Sequence, residues 1–95
     1  MEYIIFIHNN TDKKTAEEQW HSFFSLATDS GMFQGGSEIY NSEAMGSKII
    51  PNIMDTISGF MRFETSDKNK LLSLLDKHPV IIAGGSLEIC EMPKR

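Results

Sequence analysis

Five consecutive residues near the start of the chain, Tyr3-Ile4-Ile5-Phe6-Ile7, are apolar and rich in β-branched and aromatic side chains, and His8-Asn9-Asn10 ends the run with polar turn formers. Such a run reads as a β-strand. Side chains of a strand alternate between the two faces of its sheet, and here neither parity is polar. Both faces of this strand therefore need cover, which places it at the centre of a sheet. With 95 residues the chain is expected to form a single domain over 1–95, because there is too little length for a second independent core. A chain this small leaves much of its surface bare, so pairing with a second copy is also expected.

The rest of the chain supplies partners for that strand. Thr15-Ala16-Glu17-Glu18 has the form of a capping box, in which a hydroxyl accepts an orphan backbone N–H and a glutamate reaches back. Ala16, Trp20, Phe23, Phe24 and Ala27 then follow on a 3.6-residue period. This predicts a helix whose stripe, Phe24 included, enters the core and which closes at Ser30-Gly31. Met32-Phe33-Gln34 and Glu38-Ile39-Tyr40 read as strand segments flanking Gly35-Gly36, a pair that fits a tight turn, a bulge or a close approach of backbone to a ligand. From Asn41 to Asp55 the sequence is polar, with Lys48-Ile49-Ile50 as a short strand candidate, and a loop or brief edge strand is expected.

The second half repeats the pattern. Ile57 to Glu64 alternates so that Met61 and Phe63 share one face and Arg62 and Glu64 the other. Ser66-Asp67 starts a second helix with Leu71, Leu72, Leu74 and Leu75 on its apolar face, and Pro79 is expected to stop it after Lys77-His78. Leu87-Glu88-Ile89-Cys90-Glu91-Met92 reads as a last strand. The order is β-α-β, hairpin material, then β-α-β.

The segments MEYIIFIHN, SGMFQGGSEI, ISGFMRFETSDKNKLLSLLDKHPV and AGGSLEICEMP together resemble the YCII-related domain family over nearly the whole chain, in a short form that lacks the Asp-Gly-Pro-Phe motif of longer members. The resemblance implies an α+β fold, a ferredoxin-like β-α-β-β-α-β arrangement pairing into a dimeric α/β barrel. Helices then cover one face of each sheet and the partner copy covers the other. The resemblance also implies a histidine on the first helix, in some members paired with an aspartate at the end of the first strand. Here the histidine position falls on Trp20, with His21 one place along, and the aspartate position falls on Asn9. A helix turns a side chain by about 100 degrees per residue, so His21 does not inherit the role of position 20. Cys90 stands where longer members tend to have arginine.

Composition removes several function classes. A net charge of -4 works against binding nucleic acid, which requires clustered Lys and Arg. Cys90 is the one cysteine, which excludes an intrachain disulfide and a cysteine-rich zinc site. The opening residues lack a basic n-region and a cleavage motif, and no apolar run approaches the roughly 20 residues that span a bilayer. No membrane association is expected, and the cytoplasm is the expected compartment. There is no phosphate loop, dinucleotide fingerprint or Ser-His-Asp order, and the three histidines do not form a metal motif. No cofactor or metal is expected.

Two functions remain, beside a purely structural dimer module that would need no pocket. The first is binding of a small organic molecule between the first helix and the sheet, with Trp20, Phe23, Phe60 and Arg62 as candidate ligand contacts. Trp20 also fits the core stripe, and Arg62 fits an anion contact, a dimer salt bridge or a solvated side chain. The second is cofactor-independent proton transfer with His8 or His21 as general acid or base. His8 ends the central strand, although a turn histidine bonded to Asn9 or Asn10 would look the same. His21 lies four residues after Glu17, an ordinary helix-surface spacing. His78, before Pro79, is expected to cap a helix C-terminus, where the dipole favours a protonated imidazole.

Overall fold

The computed structural model describes residues 1–93. Strand β1 (Glu2–His8) is followed by helix α1 (Glu17–Asp29), strand β2 (Phe33–Glu38), a 3-10 turn at Ile53–Asp55 and strand β3 (Ile57–Glu64). Helix α2 (Lys68–Leu75), the short helix α3 (Pro79–Ile82) and strand β4 (Leu87–Met92) complete the order. The four strands make one antiparallel sheet in the order β2-β3-β1-β4. This is the ferredoxin-like α+β arrangement. As the apolar run of β1 requires, that strand is interior, hydrogen-bonded to β3 on one side and β4 on the other.

The helices lie on one face. Tyr3, Ile5 and Ile7 of β1 pack with Met61 and Phe63 of β3, with Phe23 and Ala27 of α1, and with Leu71 and Leu75 of α2. Burying side chains of this size contributes about 1.5 to 3 kcal/mol each, which makes this face the main source of stability. The alternate residues of β1, Ile4 and Phe6, point to the opposite face and are half-exposed. In register with them stand Arg62 and Phe60 of β3 and Cys90 and Glu88 of β4.

Several local expectations are corrected. The N-cap of helix α1 lies one residue later than in the capping-box reading, at Ala16. The Ala16 N–H donates to Gln19 Oε1 at 3.1 Å, while the Thr15 hydroxyl instead accepts from Trp20 Nε1 at 2.9 Å. Phe24 is not a core residue, being 42% exposed, because α1 directs Phe23 and Ala27 inward and leaves Phe24 over the glycine-rich strand β2. Gly35 and Gly36 lie within one continuous strand, and the register with β3 shifts between Phe33 and Gly35, as in a bulge. Lys48-Ile49-Ile50 forms no strand. Helix α2 ends at Leu75, and Pro79 opens a helix rather than closing one, since a ring that lacks an N–H suits the first helical turn.

Candidate functional site

A cavity of about 450 Å³ opens between α1 and the β2–β3 side of the sheet. One wall is aromatic. Trp20 and Phe24, four residues apart on α1, stack with ring centroids 6.0 Å apart and an interplanar angle of 29°. The opposite wall is built from Ile7, Gly59 and Met61 at its base and from Gly36, Ser37 and Glu38 along β2, with Ser58 beside them. The glycines follow from how closely the two strands approach. A Cβ on Gly59 would stand 2.8 Å from the Ser37 carbonyl oxygen, and one on Gly36 would strike the Phe60 carbonyl. The wall facing the rings is thus backbone and small side chains, which leaves room for a flat guest.

Ser37, Ser58 and Glu38 are the polar residues along this cavity, and strand register puts Glu38 with Gly59 on the helix side and Ser37 with Phe60 on the other. The Ser58 hydroxyl donates to the Ile7 carbonyl at 3.2 Å, and the Ser37 hydroxyl donates to the Glu38 carbonyl at 2.8 Å. The exposed Glu38 carboxylate favours a neutral donor such as a phenolic hydroxyl over an anion.

Behind Trp20 stands His78. It is fully buried, and its ring meets Trp20 edge-on at 4.9 Å and Phe23 at 4.7 Å. Its Nδ1 accepts from the Val80 N–H at 3.1 Å, so it caps the N-terminus of α3. The expectation of a protonated cap at a helix C-terminus is reversed: burial pushes the imidazole down to about 4, and it is neutral at ordinary pH. Thr15 and His78 together hold the indole in place.

The residues singled out from the sequence are distributed over the molecule. Trp20 lines the cavity, while Phe23 sits beneath it in the core. Phe60 and Arg62 stand on the open face of the sheet, because the alternation of β3 turns them away from Gly59 and Met61. His8 also faces that side, half-buried, with Nε2 3.0 Å from Glu88 Oε1. His21 is out in solvent, 3.9 Å from Glu17. Asn9 ties the end of β1 to the 3-10 turn by donating to the Met54 carbonyl at 3.1 Å. Three participants were not read from the sequence: Phe24, Glu38 and Glu88. By periodicity the first belongs to the core stripe, and the other two acquire meaning only through strand register. Among the described residues no cluster of three or more His, Cys, Asp or Glu is placed to hold a metal, and no helix is long and apolar enough to cross a membrane.

Fold and cavity together define the class: a ferredoxin-like α+β protein with a ligand-sized cleft between its first helix and its sheet. No protein-family model matches the sequence, and no curated protein matches it. Among solved structures the chain is similar to 5-chloro-2-hydroxyhydroquinone dehydrochlorinase (TftG) from Burkholderia phenoliruptrix AC1100, in complex with 2,5-dihydroxybenzoquinone. The TM-score is 0.54 at 13% identity, over 98% of this chain and 94% of that one. At that identity the likeness is one of fold.

Proposed function

We propose that this protein binds a small, neutral, hydroxylated aromatic or quinone-like molecule in the cavity between α1 and the β2–β3 side of the sheet. The observation that carries this reading is the cavity itself, about 450 Å³ with the stacked Trp20 and Phe24 rings facing a glycine-lined wall. That volume suits a single substituted ring. The chemistry of the neighbouring fold points the same way, since TftG is described with a dihydroxybenzoquinone bound. Glu38, in register with Gly59 on the cavity side, accepts from the hydroxyl groups, and Phe23 supports the wall from the core. The test is thermal denaturation against a panel of hydroquinones and quinones. A ligand at a hundred times its Kd raises stability by about 2.7 kcal/mol, and Trp20→Ala abolishes the shift. A panel without a shift, or a shift that Trp20→Ala leaves intact, refutes the reading.

A second reading, cofactor-independent proton transfer, rests on the His8–Glu88 contact. A carboxylate 3.0 Å from Nε2 fixes the ring, leaving Nδ1 to take a proton from a carbon acid or phenol. Deuterium exchange into enolisable carbonyl compounds tests it. His8→Gln and Glu88→Gln should each slow exchange by about 10²-fold or more, and His21→Gln should leave it unchanged.

The open sheet face supports a homodimer reading. Half-exposed Ile4, Phe6 and Phe60 on one side of a sheet need an apolar partner, and the reading is a homodimer closed through these faces. Light scattering at micromolar concentration should then report about twice the chain mass of 10.7 kDa.

A further inference from the structure

Between β2 and β3 the chain makes a long excursion, from Ile39, whose N–H donates to the Ser58 carbonyl at 2.9 Å, to Asn52, which caps the 3-10 turn. One foot is hydrogen-bonded to β3, and the other is held by the 3-10 turn that Asn9 ties to the end of β1. Between them the chain has no helix or strand, yet it carries large apolar side chains left in water: Tyr40 is 93% exposed, Met45 100% and Ile49 101%, with Ile50 also exposed. A segment that was merely solvent-loving would not be built this way.

The whole molecule shows the same surplus. Its accessible surface is 6754 Å², whereas a monomeric protein of 10.7 kDa is expected to show about 5,500 Å². The excess, more than 1,000 Å² by this estimate, exceeds the roughly 800 Å² that each partner gives to a standard interface. The radius of gyration is 14.3 Å, against about 12 Å for a compact chain of this length, and the shortest dimension is 17 Å. The shape is a slab with an arm.

We infer that the arm spanning 40–51 is an interface element for a second copy of this chain, laying Met45, Ile49 and Ile50 across the open sheet face of the partner. The inference rests on the homodimer reading and adds what holds the dimer together. Reach permits it. Twelve residues going out and back extend about 20 Å, and four strands spaced about 4.8 Å apart are roughly 14 Å across. Self-complementarity favours it over a foreign partner: each copy carries both a bare apolar arm and a bare apolar face, so one two-fold pairing covers both at once.

Two measurements test this. The double variant Ile49→Asp/Ile50→Asp changes exposed side chains, so its circular dichroism should match the parent while its dimer Kd rises at least tenfold. Cys90, the native cysteine, lies on the open face in register with Ile4, which allows a directed cross-link. Chains carrying Met45→Cys and Cys90→Ser are mixed with parent chains and treated with a flexible bis-maleimide, and a covalent heterodimer is expected. A parent dimer whose Kd is unaffected by the charged arm and which gives no heterodimer overturns the arm while leaving the dimer standing. A parent chain that stays monomeric overturns both. A separate Met45→Cys chain that retains Cys90 and cross-links to it at monomer mass shows that the arm folds back on itself, which also overturns the inference.

Discussion

The two faces of the sheet are made by the same strands, yet they have opposite fates. On the helix side Ile5, Met61 and Phe63 are almost completely buried beneath α1 and α2. On the other side Ile4, Phe6 and Phe60, equally apolar and one residue away, remain half-exposed. Apolarity of a strand therefore states that cover is needed without stating who provides it. Chain connectivity provides it on one side only, since both β-α-β crossovers place their helices on the same face. Chemistry is divided in the same manner, with the aromatic cavity on the covered face and the His8–Glu88 pair on the open one.

The comparison is broken most forcefully by truncating one aromatic on each face. Phe23→Ala, on the covered face, should cost about 3 to 5 kcal/mol in denaturant unfolding. Phe60→Ala should cost about 1 kcal/mol or less when measured on monomer at high dilution, its main effect falling on the affinity of the proposed dimer. Equal monomer costs would mean that the open face is covered within the chain.

The next effect is pH dependence from His78. An unfolded chain protonates this imidazole near pH 6.5, whereas the folded chain does so only near 4. The unfolded state thus holds more protons in that window, and stability present above about pH 6.5 declines as the pH falls toward 4, by about 3 kcal/mol at most. His78→Asn retains a side-chain acceptor for the Val80 N–H but cannot titrate, so it should flatten this slope whatever it does to absolute stability. A slope that persists would assign the acid sensitivity elsewhere.

Smaller effects sharpen the picture of the cavity. Gly59→Ala should cost about 1 to 3 kcal/mol, because the added Cβ meets backbone rather than a side chain able to move aside. Phe24→Ala should cost less than Phe23→Ala and instead weaken ligand binding, as its exposed ring serves the cavity more than the core. His21→Ala should stay within about 0.5 kcal/mol of the parent.

Much of this fold is legible in the residue pattern. The apolar run of β1, the alternation of β3 and β4 and the leucines of α2 each carry the period of the element they form. Phe24 departs from the expected core because a helical stripe marks a direction and not its width: Phe33 of the strand beneath this flank meets the ring at 6.1 Å, while Gly35 and Gly36 have no side chains to cover it. His78-Pro79 was read as a stop because proline ends helices, but the same fixed geometry also begins them. The site was harder to see. Trp20 was identifiable by its size, whereas the approach of Glu38 to the cavity and of Glu88 to His8 depends on register between strands distant in sequence, which no local pattern encodes.

The central claim is that the cavity on the covered face receives a flat hydroxylated ring. Trp20 is the one tryptophan in the chain, so the protein gives a single indole N–H resonance, and that reporter lies on the cavity wall. Titrating the labelled protein with 2-hydroxyhydroquinone under anaerobic conditions should move this resonance saturably, together with the amides of Gly36 and Gly59. An indole signal that stays fixed while residues such as Phe6, Phe60 and Glu88 respond would place the ligand on the open face and contradict the account.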